Sequence, residues 1–113
     1  MTYIADLTNI TVPGDGYDYL YLWVGWLGSV VPRTGQSDMT VIARLRGLQE
    51  RNQLRDGTLG LHTCEICGGD SGHGSFFVED FRTRYVLPNL VFHYIAAHEY
   101  RLPDVVEDAV RRG

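Results

Sequence analysis

The sequence contains no lysine, only two cysteines and no long apolar run. All 10 basic residues are arginine, against 14 acidic residues, and the formal net charge is −4. This balance argues against non-specific nucleic-acid binding, which needs excess positive charge. No apolar stretch approaches the roughly 18–20 residues of a membrane-spanning helix. A codon bias is the simplest explanation for the missing lysine.

The amino terminus also lacks the features of an export signal. Residues 1–6 read Met-Thr-Tyr-Ile-Ala-Asp, with neither a basic region nor an apolar core. A cytoplasmic protein is therefore expected. The 113 residues, 44% of them hydrophobic, predict a single domain over residues 1–113 with a modest core.

The apolar pattern predicts an α+β fold, a small and mainly antiparallel sheet packed with about three helices. Residues 2–12 alternate weakly and end at a Pro-Gly turn signal. Tyr17 to Leu27 is predicted to be the central strand, because both of its faces are apolar. A short strand over residues 59–63, a glycine-rich loop over 68–74 and a hairpin with arms 75–78 and 83–87 complete the prediction.

Three helices are expected after residue 36. The first follows a cap at Ser37 or Asp38 and runs to about Asn52. The second covers residues 89–98, with Pro88 at the first helical position, which suits proline. The third begins at Pro103 and ends near residue 112. The buried stripe of the first helix is predicted to be Val41, Leu45 and Leu48.

Four residues carry the strongest chemical signal: Cys64, Cys67, His93 and His98. They form a Cys-x2-Cys pair followed by a His-x4-His pair. Thiolate and imidazole are the side chains that hold zinc in closed tetrahedral sites, and paired ligands at these spacings occur there. In the cytoplasm such a cysteine pair favours a metal or redox site over a disulfide. The sequence therefore predicts a structural Zn²⁺ ion bound by these four residues.

The histidine spacing sets a condition on this prediction. Positions five apart on a regular helix are about 140° out of phase. His93 and His98 can converge on one ion only if the last turn loosens, and a helix end at residues 98–100 would allow it. We expect His93 to face the same way as Leu90 and Ala97, in a buried position where a metal bond would satisfy its ring nitrogens.

Other ligand sets stay open. His62 precedes Cys64 by two residues and is expected to lie beside the site rather than in it. His73 is expected to be a loop histidine, although either residue could replace one of the predicted ligands. A cysteine pair without metal remains an alternative, and a redox dithiol is disfavoured because no thioredoxin-like βαβ pattern surrounds it.

Three segments resemble a family of small bacterial proteins of unknown function. The segments are YLWVGWLG at residues 21–28, HTCEIC at 62–67 and YVLPNLVFHYIAAHEYRLP at 85–103. The family pattern has a YLxVGWL strand, an HxCxxC turn and a PxLxxHYxxxHxYxxP helix, of which the helix is the most specific. The resemblance implies metal binding without an established activity. Some relatives occur among toxin and immunity genes, which suggests an immunity or accessory protein.

The favoured function is a zinc-stabilised module that binds another protein. A row of aromatic residues on the predicted central strand could form its contact surface, since tyrosine and tryptophan dominate such surfaces. The same row could instead pack in the core. Its members are Tyr17, Tyr19, Tyr21 and Trp23.

Two other functional classes remain as alternatives. A metal-dependent hydrolase or nuclease would need an open position on the ion, with Glu65 or Glu99 as base and His62 as acid. A nucleic-acid-binding zinc protein would need the arginines of residues 44–55 to lie beside Arg82 and Arg84. Neither nucleic acid nor a membrane is the expected partner, and the sequence leaves the oligomeric state open.

Overall fold

The computed structural model describes residues 6–10, 20–28, 30–54, 61–68 and 71–112. It confirms the α+β class, with three helices and a mainly antiparallel sheet. The strands are β1 (Thr8–Ile10), β2 (Leu20–Trp23), β3 (Gln53–Leu54), β4 (Leu61–Thr63), β5 (Ser71–His73), β6 (Ser75–Asp80) and β7 (Thr83–Pro88). The helices are α1 (Met39–Arg51), α2 (Val91–His98) and α3 (Asp104–Arg112).

Five strands form the main sheet in the order β1-β2-β7-β6-β3, while β4 and β5 pair separately. Only β2 and β7 run parallel; the other described pairs are antiparallel. The middle strand is therefore β7. The strand predicted over residues 17–27 is confirmed as an internal strand, because β2 is paired on both sides by β1 and β7. Its predicted end is corrected, because β2 ends at Trp23. Residues 17–19 lie outside the described part of the chain.

The chain leaves the sheet at Gly25, earlier than the apolar pattern predicted. Gly25 has φ +80, and a Cβ there would lie 2.9 Å from Val91 Cγ2. Val24, Trp26 and Leu27 are buried in the segment that follows β2. The Trp26 indole donates to the Val86 carbonyl at 2.9 Å. A segment that is buried outside the sheet can thus have the same apolar pattern as a buried strand.

The predicted hairpin is confirmed, with longer arms. Strands β6 and β7 pair from Ser75↔Pro88 to Asp80↔Thr83, across a two-residue turn. Pro88 therefore ends a strand and does not begin α2. The predicted loop over residues 68–74 is also wrong in part, because residues 71–73 form β5 against β4. Residues 69 and 70 lie outside the described residues.

The first helix follows the prediction closely. The Asp38 carboxylate caps α1 by accepting from the Thr40 amide at 2.8 Å, which satisfies one of the free donors of the first turn. Its buried residues are Val41, Leu45 and Leu48. Helices α1 and α3 both pack on β6, and they pack on each other. The third helix begins at Asp104, one residue after the predicted start.

Candidate metal centre

A tight turn after β4 carries the two cysteines. The Gly68 amide donates to the Cys64 carbonyl at 2.8 Å, and Gly68 has φ +69, which favours glycine. Cys64 is fully buried, whereas Cys67 is exposed. The turn therefore presents one thiol from the core and the other from the surface.

The two histidines lie on α2. His93 is in its first turn and His98 is its last residue. Glu99 then adopts φ +54, and the Glu99 and Tyr100 amides both donate to the Tyr94 carbonyl. These bonds reach back five and six residues instead of four, so the helix opens where the histidine spacing required it. The expected burial of His93 holds only in part: it is half-buried, Leu90 is buried and Ala97 is exposed.

The structure brings the four side chains together. Their ligand atoms all lie within 4.8 Å of one another. Cys64 Sγ lies 3.7 Å from Cys67 Sγ and 3.3 Å from His98 Nε2. Cys67 Sγ lies 3.5 Å from His93 Nε2. The two imidazoles are nearly perpendicular, with ring centroids 5.0 Å apart.

The three distances that involve a cysteine sulfur fit the edges of a tetrahedron. With Zn–S near 2.3 Å and Zn–N near 2.0–2.1 Å, ideal edges are about 3.8 Å between sulfurs and about 3.6 Å between sulfur and nitrogen. A disulfide is excluded, because its sulfurs would be about 2.05 Å apart. Cys64, Cys67, His93 and His98 could thus bind one metal ion.

Tyr94 supports the site and was not singled out from the sequence. It lies between the two histidines on α2, is fully buried, and its hydroxyl donates to the Leu27 carbonyl at 3.5 Å. Burial raises the pKa of Tyr94 well above its ordinary value, and the negative charge of Cys64, Glu65 and Cys67 raises it further. The sequence signal for this residue is its position next to His93 and four residues before His98.

The other residues that the sequence analysis named are not part of the four-residue cluster. His62 and His73 belong to β4 and β5, and their side chains fall outside the described part of the structure. Glu65 and Glu99, the candidate bases, are both exposed. In the aromatic row, Tyr21 is buried and accepts from Arg84 Nη1 at 3.1 Å, while Trp23 is half-buried. Tyr17 and Tyr19 lie outside the described residues.

Comparison with known proteins places the chain in a family without giving it an activity. No helix within the described ranges is both long and apolar enough to cross a bilayer. No curated protein and no solved structure matches the sequence. A family model described as Domain of unknown function (DUF7919) matches residues 2–111. The chain therefore belongs to the DUF7919 family.

Proposed function

We propose that the protein binds a structural Zn²⁺ ion through Cys64, Cys67, His93 and His98, and that it acts as a zinc-stabilised module for binding another protein. The observation that carries the metal assignment is the convergence of the four ligand atoms within 4.8 Å of one another, with three of the six distances between them at 3.3–3.7 Å. Borderline-soft zinc suits a set of two thiolates and two imidazoles. When bound, the ion would tie the turn after β4 to helix α2.

A structural role is favoured over a catalytic one. Four protein side chains complete a tetrahedron, whereas catalytic zinc keeps one position for water or substrate. Two thiolates also reduce the Lewis acidity on which a hydrolase or nuclease would depend. The exposed position of Glu65 and Glu99 supports the same choice, because a general base must hold the reacting water close to the ion.

The metal assignment is tested by metal content and spectroscopy. Purified protein should contain one zinc per chain by elemental analysis. Replacement by cobalt should give the visible absorption of tetrahedral Co²⁺ together with a thiolate charge-transfer band. Octahedral cobalt absorption, or no bound metal after reconstitution, would overturn the assignment.

The ligand set is tested by a histidine series. His93→Ala and His98→Ala should each lower zinc stoichiometry and the thermal midpoint together, because each removes one ligand. His62→Ala is the matched control, and it should leave both unchanged. Full zinc occupancy in His98→Ala would remove this residue from the set and favour His62 or His73 as its replacement.

A further inference from the structure

Helices α1 and α2 enclose a groove that the metal centre does not use. The groove has a volume of about 370 Å³, and residues of both helices line it. From α1 they include Met39, Ile42 and Arg46, and from α2 they include Phe92 and Ile95, followed by Glu99 just after the helix ends. The α1 residues have the spacing i, i+3, i+7 and Phe92 and Ile95 the spacing i, i+3, which places each set on one face of its helix.

The groove side of α2 differs from the positions that carry the candidate ligands. At about 100° per residue, Phe92 and Ile95 lie about 60° apart. His93 lies about 100° from Phe92 on one flank, and His98 lies about 60° from Ile95 on the other. Helix α2 therefore contributes different residues to the cysteine turn and to the groove.

The two ends of the groove differ in charge. The Arg46 guanidinium lies 4.4 Å from the centroid of the Phe92 ring, at the start of α2. At the other end, the Gly35 amide donates to the Glu99 carbonyl at 3.0 Å, which brings the segment before α1 to the end of α2. The helices are thus antiparallel. From Phe92 to His98 helix α2 rises about 9 Å, at about 1.5 Å per residue, and the groove along it has Arg46 at one end and Glu99 at the other.

Several groups in the groove are exposed apolar side chains or polar groups that lack an ionic or hydrogen-bond partner among the described residues. Met39 is 83% exposed, and Ile42 and Ile95 are only half-buried. No described carboxylate pairs with Arg46, and no described cation pairs with Glu99. The buried Ser37 hydroxyl, which also lines the groove, has no hydrogen-bond partner within the described ranges. Exposed apolar side chains beside polar groups without partners make this groove available to a ligand.

We propose that the α1–α2 groove binds an amphipathic helix of a partner protein. The helix would place apolar side chains spaced three, four and seven residues apart on Ile42, Ile95 and Met39, as in helix-in-groove recognition. Charge complementarity requires a carboxylate at the end that meets Arg46 and a basic residue at the end that meets Glu99. A second copy is a poorer fit, because a symmetric contact would set one concave surface against another. This inference rests on the proposed protein-binding role and names its site.

The test uses a phage-displayed library of helical peptides, selected against the full-length zinc-loaded protein. Enriched peptides should share the apolar spacing and carry an acidic residue at one end. Their affinity, measured by fluorescence anisotropy, should fall about tenfold or more in Arg46→Glu, because a close interfacial charge pair becomes a repulsion. Replacing the acidic residue of the peptide with lysine should restore binding to that variant. Met39→Glu should also abolish binding.

Arg51→Glu is the matched control, since Arg51 is an exposed arginine on the same helix and does not line the groove. It should bind the peptides as the unchanged protein does. No enrichment, or peptides insensitive to Arg46→Glu and Met39→Glu, would overturn the proposal. A dimer in sedimentation that Met39→Glu dissociates would overturn it in favour of a second copy. Zinc content, measured on every variant, tests the metal assignment separately and shows that the variants are folded.

Discussion

The two cysteines share a turn, yet their different burial predicts different contributions to the stability of the fold. Cys64 Sγ is fully buried and belongs to the apolar core, whereas Cys67 is exposed. If the proposed ion is bound, Cys67 would stabilise the fold through a metal bond alone, whereas Cys64 would do so through a metal bond and through packing. Replacing either cysteine should therefore remove zinc, but the loss of unfolding free energy should be larger for Cys64.

Cys64→Ser and Cys67→Ser should both lose zinc, because each removes a thiolate ligand. We expect Cys67→Ser to lower the free energy of unfolding by several kcal/mol, a large part of the roughly 5–15 kcal/mol typical of a domain. Cys64→Ser should cost about 1–3 kcal/mol more, since it also leaves a buried hydroxyl unpaired. Zinc stoichiometry and urea unfolding provide the measurements. Equal zinc content in Cys67→Ser and the unchanged protein would contradict the expectation.

The four candidate ligands could be predicted from residue type and spacing, and the helix end at residues 98–100 that lets the histidines converge was predicted with them. The way in which the helix ends could not be predicted. It depends on the left-handed conformation of Glu99, a residue type with no special preference for φ +54.

At the scale of elements, local sequence signals predict an element correctly unless pairing with a distant strand overrides them. Helix α1 could be predicted because its cap and its apolar stripe lie within the helix itself. Strand β5 could not, because a Ser-Gly-His segment becomes a strand only through pairing with β4. Pro88 follows the same rule. It is a good first helical residue by type, but its pairing with Ser75 keeps it in β7.

Two glycines allow a matched test of how the elements meet. Gly25→Ala should destabilise the protein by about 1–3 kcal/mol, because its φ is +80 and the new Cβ would lie 2.9 Å from Val91 Cγ2. Gly47→Ala should stabilise it by about 0.5–1 kcal/mol, because alanine is the better helix former and only Arg51 Nη1, at 3.5 Å, is near. The midpoint of urea unfolding measures both changes. If Gly25→Ala stabilised the protein, the backbone at Gly25 could not lie as close to Val91 of α2 as described.

At the scale of the whole molecule, stability should depend on zinc and on pH together. Thiolate and neutral imidazole bind metal, so acidification releases the ion and with it part of the folding free energy. Chelation at neutral pH should lower the thermal midpoint by about 4 °C for each kcal/mol lost. The zinc-loaded protein should lose stability as the pH falls below neutral, and the chelated protein should lose less over the same range. An unchanged midpoint after chelation would show that the site is not structural.

The ion pair between Arg33 and Asp104 affects stability in a lower pH range than the proposed metal site, so the two effects can be measured separately. The hydrogen bond from Arg33, at 2.7 Å, holds the pKa of Asp104 below its usual value. A depressed carboxylate pKa stabilises the folded state above the unfolded value, near 3.9, and the contribution is lost only as the pH falls through the lower folded value. Loss of stability between neutral pH and about pH 5 is therefore expected from the metal site and not from Asp104.

The position of the β6–β7 hairpin between the two ligand pairs has a kinetic consequence. The proposed ion would join residues that are 26 and 34 positions apart, and closing so long a segment costs entropy before any ligand bond forms. The hairpin, residues 75–88, shortens that segment and should form first. The four ligands are then expected to come together only after the transition state for folding. Zinc should accordingly slow unfolding and leave the refolding rate nearly unchanged. Stopped-flow measurements with and without chelator would show this as a shift of only the unfolding limb in a plot of rate against denaturant concentration. The ion would then stabilise the folded state kinetically without nucleating folding.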